Sequence, residues 1–200
     1  MVYKARHIVI VNGYGCHLNT PLMPYLVRVV RFINEVPTDM VLQLIFTGGP
    51  TQQDSAPGVT EAHLMSEYVT KHPDRRRIQF MSLEEETAFT TYDNISKAAE
   101  LIRNTAPDLG IEASWKYKST KITIFCEATR SANVIMLARH FLLPFVKTID
   151  DITVETASWE RADPFKQVGN LIYNKLAITY PWLRLAEREH RQRMRKAKKK

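Results

Sequence analysis

Short apolar runs, each followed by a polar or glycine-bearing loop and then a helical pattern, constrain the fold of this chain most. His7–Val11 and Val41–Phe46 are almost continuously apolar, which is typical of strands buried on both faces. Lys121–Glu127 and Ile152–Thr156 resemble them, and Arg76–Met81 predicts a shorter strand. Strand, loop and helix thus alternate about five times, which predicts an α/β fold, three-layer α/β/α and Rossmann-like, with a mostly parallel sheet of about five strands.

The predicted helices have recognisable starts and ends. Asn19-Thr20-Pro21 indicates the start of the first helix and Val36-Pro37 its end. Thr60 is a good N-cap for the second helix, with Glu61 in its first turn. The remaining predicted helices are Ile95–Asn104, Ser131–Leu142 and, after Asp163-Pro164, Phe165–Ile178.

Glycines follow the first two predicted strands, in Asn12–Gly15 and in Gly48-Gly49. Glycine permits tight turns and a close approach of the backbone to a ligand. The first loop is either a phosphate or cofactor loop or a plain strand-to-helix turn, and it lacks the third glycine of a dinucleotide fingerprint. Cys16 lies in the same loop, although a lone cysteine is more often inert than nucleophilic.

Carboxylates and hydroxyls gather near the starts of the second and third helices. Glu61 either compensates the helix dipole, worth about 0.3–1 kcal/mol, or points over the Gly48-Gly49 loop as a site carboxylate. The run Glu84–Glu86 is in part a solvated face. The short polar residues that follow either compete as N-caps or line a polar pocket; they are Thr87, Thr90, Thr91, Asp93 and Asn94.

Arg130 comes at the predicted N-terminus of a helix, where its charge opposes the helix dipole. A purely local role is therefore unfavourable. Arg130 either pairs with Glu127 or with a carboxylate across the cleft, or it binds an anion or a substrate carboxylate, and the last interpretation is favoured. In an open parallel sheet these loops meet at one edge, beyond the carboxyl ends of the strands.

The order and spacing of these motifs resemble those of the YdcF/SanA/ElyC-like family, the domain of unknown function 218. The resemblance covers roughly residues 8–142. It implies a three-layer α/β/α Rossmann-like fold and a site at the strand C-termini, but no settled reaction. Bacterial relatives usually carry a membrane anchor that is not seen here, so an envelope function is not carried over. The matching pieces are Asn12–Gly15, Gly48-Gly49, Thr60-Glu61-Ala62, Glu85 with Thr90–Asn94, and Cys126–Arg130.

Charge is concentrated in the last 18 residues, 183–200, which contain nine Lys/Arg and two Glu and so carry the whole net charge of +7. We predict one α/β domain over residues 1–182 and a basic helical or disordered tail over 183–200. The tail is either simply solvated or contacts nucleic acid, an anionic membrane surface or an import receptor. Two cysteines make no disulfide framework, and no apolar run is long enough to span a bilayer, so an intracellular, cytoplasmic or nuclear protein is expected.

The first functional hypothesis is an enzyme, a hydrolase or transferase, acting on a phosphorylated, nucleotide-like or other anionic small molecule. Arg130 would hold the anion and backbone N–H groups of the glycines would donate to it. Carboxylates would transfer protons or hold a divalent cation. The predicted catalytic residues are Glu61, Glu85 and Asp93, and the predicted substrate-binding residues are Asn12, Gly13, Gly15, Gly48, Gly49, Thr91, Asn94 and Arg130.

The second hypothesis is a non-catalytic module that binds an adenosyl- or nucleotide-like ligand, with the basic tail docking a partner. The two hypotheses differ in the geometry they require. Convergence of Glu61, Glu85, Asp93 and Arg130 on one point favours an enzyme. Carboxylates scattered around an apolar slot favour a binding module.

Overall fold

One parallel sheet organises the computed structural model, which describes residues 5–18, 21–52, 54–75, 80–105, 119–158 and 163–199. The strand order is β3-β2-β1-β4-β5 and all four strand pairs are parallel. The strands are β1 (Arg6–Asn12), β2 (Val41–Thr47), β3 (Phe80–Glu85), β4 (Thr120–Glu127) and β5 (Ile152–Ala157). The helices are α1 (Leu22–Glu35), α2 (Glu61–Lys71), α3 (Thr91–Thr105), α4 (Ser131–Phe141), α5 (Pro164–Thr179) and α6 (Leu185–Lys199).

Helices cover both faces of the sheet and form two separate cores. On one face, Val9 and Val11 of β1 pack with the apolar sides of α1 and α2. On the other, Ile8 and Ile10 pack with α3 and α4. Side chains of a strand alternate between faces, so a strand that is apolar throughout requires cover on both. The predicted three-layer α/β/α Rossmann-like fold with its five-stranded parallel sheet is confirmed.

The third strand differs most from its prediction. It was expected at Arg76–Met81, but within the described residues it runs from Phe80 to Glu85 and pairs with β2 from Leu42 to Thr47. The strand therefore includes two glutamates that were assigned to a loop. β3 is an edge strand and only partly buried, so charged side chains are tolerated on its open side. Residues 19, 20 and 76–79, which carried the first helix start and the expected strand start, lie outside the described residues.

The basic tail forms a helix that packs against the body. After the short turn Pro181–Leu183, α6 contacts both α5 and α3. His190 Nδ1 donates to the Asp93 carboxylate at 2.8 Å, and the His190 ring packs edge-on to Phe89. Over the part of the chain that the structure describes, no helix is both long and apolar enough to cross a bilayer.

Candidate functional site

A polar cleft of about 500 Å³ opens at the carboxyl edge of the sheet, next to the loops that follow β1 and β4. The strand order reverses between these two neighbouring strands, and such a reversal is where open α/β sheets bind ligands. The described residues that line the cleft are Gly13, Tyr14, Gly15, Pro21, Leu22, Thr51, Gln52, Glu61, Ala88, Phe89, Thr90, Thr91, Asn94, Glu127, Arg130, Asp163, Lys166, Gln167, Asn170 and Arg193.

Glu61 is the buried carboxylate of the cleft. Thr60 caps α2 by accepting the His63 N–H, which places Glu61 in the first helical turn, over the β1 and β2 loops. Burial raises the pKa of Glu61, and hydrogen bonds from the Thr51 hydroxyl and the Gly15 N–H, together with the Arg130 charge, partly offset that rise. Glu61 lies at the helix N-terminus and also lines the cleft, so its position fits both interpretations.

The glycine N–H groups are occupied within the protein, which corrects the expectation that they donate to a ligand. Gly13 donates to the Thr47 carbonyl at 2.7 Å, Gly48 to the Glu85 carbonyl at 2.9 Å and Gly49 to the Ala88 carbonyl at 2.6 Å. The Gly15 N–H bonds the Glu61 carboxylate.

The loops after β1 and β2 require glycine because a side chain there would clash with Glu61. A Cβ on Gly13 would lie 2.2 Å from Glu61 Oε2, and one on Gly48 would lie 2.6 Å from Glu61 Cβ. Gly15 and Gly48 also have φ angles of +122° and +150°, in the region that side chains disfavour. The glycines therefore let Glu61 pack directly on the backbone. Gly13 and Gly15 line the cleft, whereas Gly48 and Gly49 lie behind Glu61 and outside the lining.

Arg130 faces the cleft without a carboxylate partner among the described residues. Its guanidinium carbon lies 4.6 Å from the centroid of the Tyr14 ring, a cation–π arrangement. The Glu127 carboxylate instead accepts two hydrogen bonds from Thr129, from its N–H at 3.0 Å and from its hydroxyl at 2.5 Å. Of the alternatives for Arg130, pairing with Glu127 is therefore not observed.

The polar residues before α3 divide between capping and lining. Thr90 is the cap, since its hydroxyl accepts the Asp93 N–H at 2.9 Å. Thr90, Thr91 and Asn94 also line the cleft. The side-chain oxygen of Asn94 is buried and has no hydrogen-bond partner in the described ranges. A buried acceptor without a partner is costly, so Asn94 is suited to a ligand that donates a hydrogen bond.

Asp93, Glu85 and Asn12 lie outside the lining of the cleft, in contrast to their predicted roles. The Asp93 carboxylate accepts the Phe89 N–H at 3.1 Å and contacts His190. Glu85 accepts from the N–H and hydroxyl of Thr87. Asn12 is buried beneath the cleft, where its side-chain oxygen accepts from the Thr47 hydroxyl at 3.2 Å. All three stabilise the loops around the site.

Several lining residues were not predicted because they come from distant parts of the chain. α5 contributes Lys166, Gln167 and Asn170, and α6 contributes Arg193. Asp163, recognised only as a helix start, caps α5 by accepting the Phe165 and Lys166 N–H groups. The Asp-Pro start was the one sequence signal in this region. Nothing in the sequence showed that the tail folds back onto the cleft.

Metal ligands and nucleophiles are not assembled in the described part of the cleft. Among the described residues, one group of three potential metal ligands lies close together, His63, Glu84 and Glu86, and it is exposed and outside the cleft lining. Cys16 is buried, and its pKa is raised first by burial and then by Glu61. Since the thiolate is the nucleophilic form, Cys16 is unsuited to covalent catalysis.

No protein-family model, curated protein or solved structure matches this chain. The resemblance to the YdcF/SanA/ElyC-like family therefore stays a prediction.

Proposed function

We propose that the cleft binds a phosphorylated, nucleotide-like or other anionic small molecule and that Arg130 is its main anion contact. The observation that carries this proposal is the position of Arg130 at the β1–β4 reversal, facing the cleft, with no carboxylate within ion-pair distance among the described residues. The Arg130 charge acts on Glu61 without a direct ion pair, and arginine is the usual recognition group for phosphate and carboxylate.

A second cation and one helix start support the same ligand class. Lys166 lines the cleft from the first turn of α5 and makes no ion pair within the described ranges. Arg130 immediately precedes α4. A helix N-terminus carries partial positive charge, so the start of α4 favours an anion at this edge. The start of α5 is already capped by the Asp163 carboxylate.

Glu61 is the proposed proton-transfer group, and hydrolysis or group transfer is the proposed reaction. Because burial raises its pKa, the carboxyl group is protonated at a higher pH than an exposed glutamate. A carboxyl group with a raised pKa can donate a proton to a leaving group and take one back. A divalent cation, if the reaction uses one, would rely on Glu61 or Glu127 and on ligand oxygens, as magnesium often does.

The second candidate function is a non-catalytic binding module. It is favoured by the separation of Glu85 and Asp93 from the cleft, because the predicted convergence of three carboxylates with Arg130 does not occur. The cleft is nevertheless polar, with charged side chains of both signs, whereas the binding-module hypothesis expected an apolar slot.

Thermal unfolding with nucleotides, sugar phosphates, S-adenosylmethionine and divalent cations tests the ligand site. A ligand at about 100 times its Kd stabilises the protein by about 2.7 kcal/mol, or about 5–11 °C for a domain of this size. We expect such a shift from an anionic ligand in the wild type and in Arg139→Ala, a control at the far end of α4, and its loss in Arg130→Ala. The proposal would be overturned if no ligand raised the Tm of the wild type, or if the same increase occurred in Arg130→Ala.

Glu61→Gln then separates the two candidate functions, because it keeps the shape and removes the transferable proton. If the protein is an enzyme, the variant retains the ligand-induced shift and loses turnover of that ligand. If the wild type binds the ligand and leaves it unchanged under all metal conditions, the binding module is correct.

A further inference from the structure

An apolar stripe runs along the outer side of α5. Phe165, Val168, Ile172 and Leu176 are all exposed, and Phe165 is 89% exposed. Their spacing of three, four and four residues places them on one helix face. The opposite face carries Asn174 and Ala177, which are buried against the body. The stripe is therefore not a core face that failed to pack, because α5 already has one.

The stripe continues into the turn after α5, where Tyr180, Trp182 and Leu183 are exposed, Trp182 to 70%. Tyr180 and Trp182 pack edge-on with ring centroids 5.1 Å apart. Contiguous exposed apolar surface of this kind marks an interaction site. Tryptophan and tyrosine are the residues most enriched at the boundary between lipid and water.

The basic helix α6 lies beside the stripe. The Tyr173 hydroxyl of α5 donates to the Leu185 carbonyl at 2.7 Å, which holds the two helices side by side. Glu189 and Arg188 of α6 both act electrostatically on Tyr173, so the part of α6 beside α5 carries charges of both signs. Residues 183–200 carry a net charge of +7, while the rest of the chain is balanced.

We propose that α5, the Tyr180–Leu183 turn and α6 together dock on an anionic lipid bilayer, lying in the plane of its surface. An amphipathic helix with aromatic and aliphatic anchors and neighbouring Lys and Arg binds lipid in this way, through apolar burial and attraction to acidic headgroups. The apolar stripe lies on a different side of α5 from Lys166, Gln167 and Asn170, which line the proposed ligand cleft. The proposal does not depend on what the cleft binds.

The distribution of charge favours an acidic bilayer over a second copy of the chain or a nucleic acid as the partner of the stripe. A second copy docked stripe to stripe would bring two strongly basic segments together, which is unfavourable. A nucleic acid would satisfy the charge but leave the apolar stripe in water. A bilayer with acidic lipids satisfies both.

Vesicle co-flotation tests the proposal with phosphatidylcholine vesicles and with vesicles that contain about 30% phosphatidylserine. We expect the wild-type protein to float with the acidic vesicles and not with the neutral ones. The double variant Phe165→Ser/Ile172→Ser is expected to bind acidic vesicles at least about tenfold more weakly, because the apolar anchoring is lost. The matched control is Ile135→Ser/Leu143→Ser, which removes two exposed apolar side chains elsewhere and is expected to bind as the wild type does.

Three results would overturn the proposal. The first is a wild-type protein that does not float with acidic vesicles. The second is a stripe variant that binds as tightly as the wild type, since binding would then come from the tail charge alone. The third is a wild-type dimer that the stripe variant converts to monomers in size-exclusion chromatography with light scattering, since a second copy would then cover the stripe. Thermal unfolding of both variants is measured in parallel, and vesicle binding is compared at a temperature at which both are folded.

Discussion

Gly13→Ala is expected to destabilise the protein strongly, because the added methyl group has no space. The new Cβ would lie 2.2 Å from Glu61 Oε2, 2.7 Å from Glu61 Cβ and 2.8 Å from the Thr47 carbonyl oxygen. The carboxylate can rotate away, but Glu61 Cβ is fixed by α2 and the Thr47 carbonyl by β2. Either the helix or the strand must therefore move.

Overpacking of a well-packed region costs about 1–3 kcal/mol and occasionally more, and two immovable contacts place Gly13 at the upper end. A loss of about 3 kcal/mol lowers Tm by about 6–12 °C for a chain of this length. Gly169→Ala is the matched control: it lies inside α5 and its added Cβ meets nothing within 4 Å. There, replacing glycine in a helix is expected to stabilise by about 0.5–1 kcal/mol.

Urea unfolding followed by circular dichroism measures both variants. We expect the free energy of unfolding to fall in Gly13→Ala and to rise in Gly169→Ala. A Gly13→Ala variant that loses less than about 1 kcal/mol would refute the conclusion that Glu61 packs directly on this backbone.

Two further predictions concern buried titratable groups. Burial, and then the Lys121 charge, lower the pKa of His7 to about 4 from its usual 6.5, so the unfolded chain takes up the proton first. Stability is therefore expected to fall, by at most about 3 kcal/mol, as the pH drops from about 6.5 to about 4, and an equal pH dependence of urea unfolding in His7→Gln would contradict this. Burial raises the pKa of Cys126 to about 12 and also raises that of Cys16. Neither thiol is expected to react with an aromatic disulfide reagent at pH 8 until urea is added, and fast labelling of the folded protein would show that these regions open.

Much of the fold could be predicted because it depends on local pattern. β1 and β2 are apolar at consecutive positions, which requires cover on both faces, and Thr60 and Asp163 cap helices as their residue types favour. The boundary of β3 was wrong because its edge position tolerates Glu84 and Glu85, which look like a loop in the sequence.

The candidate site was predicted only in part, because a sequence shows which polar groups exist and not which already have partners. The sequence placed Glu61, Asn94 and Arg130 at the carboxyl edge of the sheet, where all three line the cleft. It could not show that the glycine N–H groups are used by Thr47, Glu85 and Ala88 carbonyls, since those bonds join segments far apart in the chain.

The sequence by itself determined the layered α/β architecture and the edge where polar loops meet, because buried strands, helix caps and glycine turns act over a few residues. Only the tertiary structure decided which charges are free and which are paired. Asp93 is bonded to Phe89 and contacts His190, while Arg130 keeps an open side towards the cleft. It also brought Arg193 of the tail into the cleft and left the apolar side of α5 outward. Those outcomes depend on long-range packing, because contacts with the other helices and the sheet determine which face of each helix is buried.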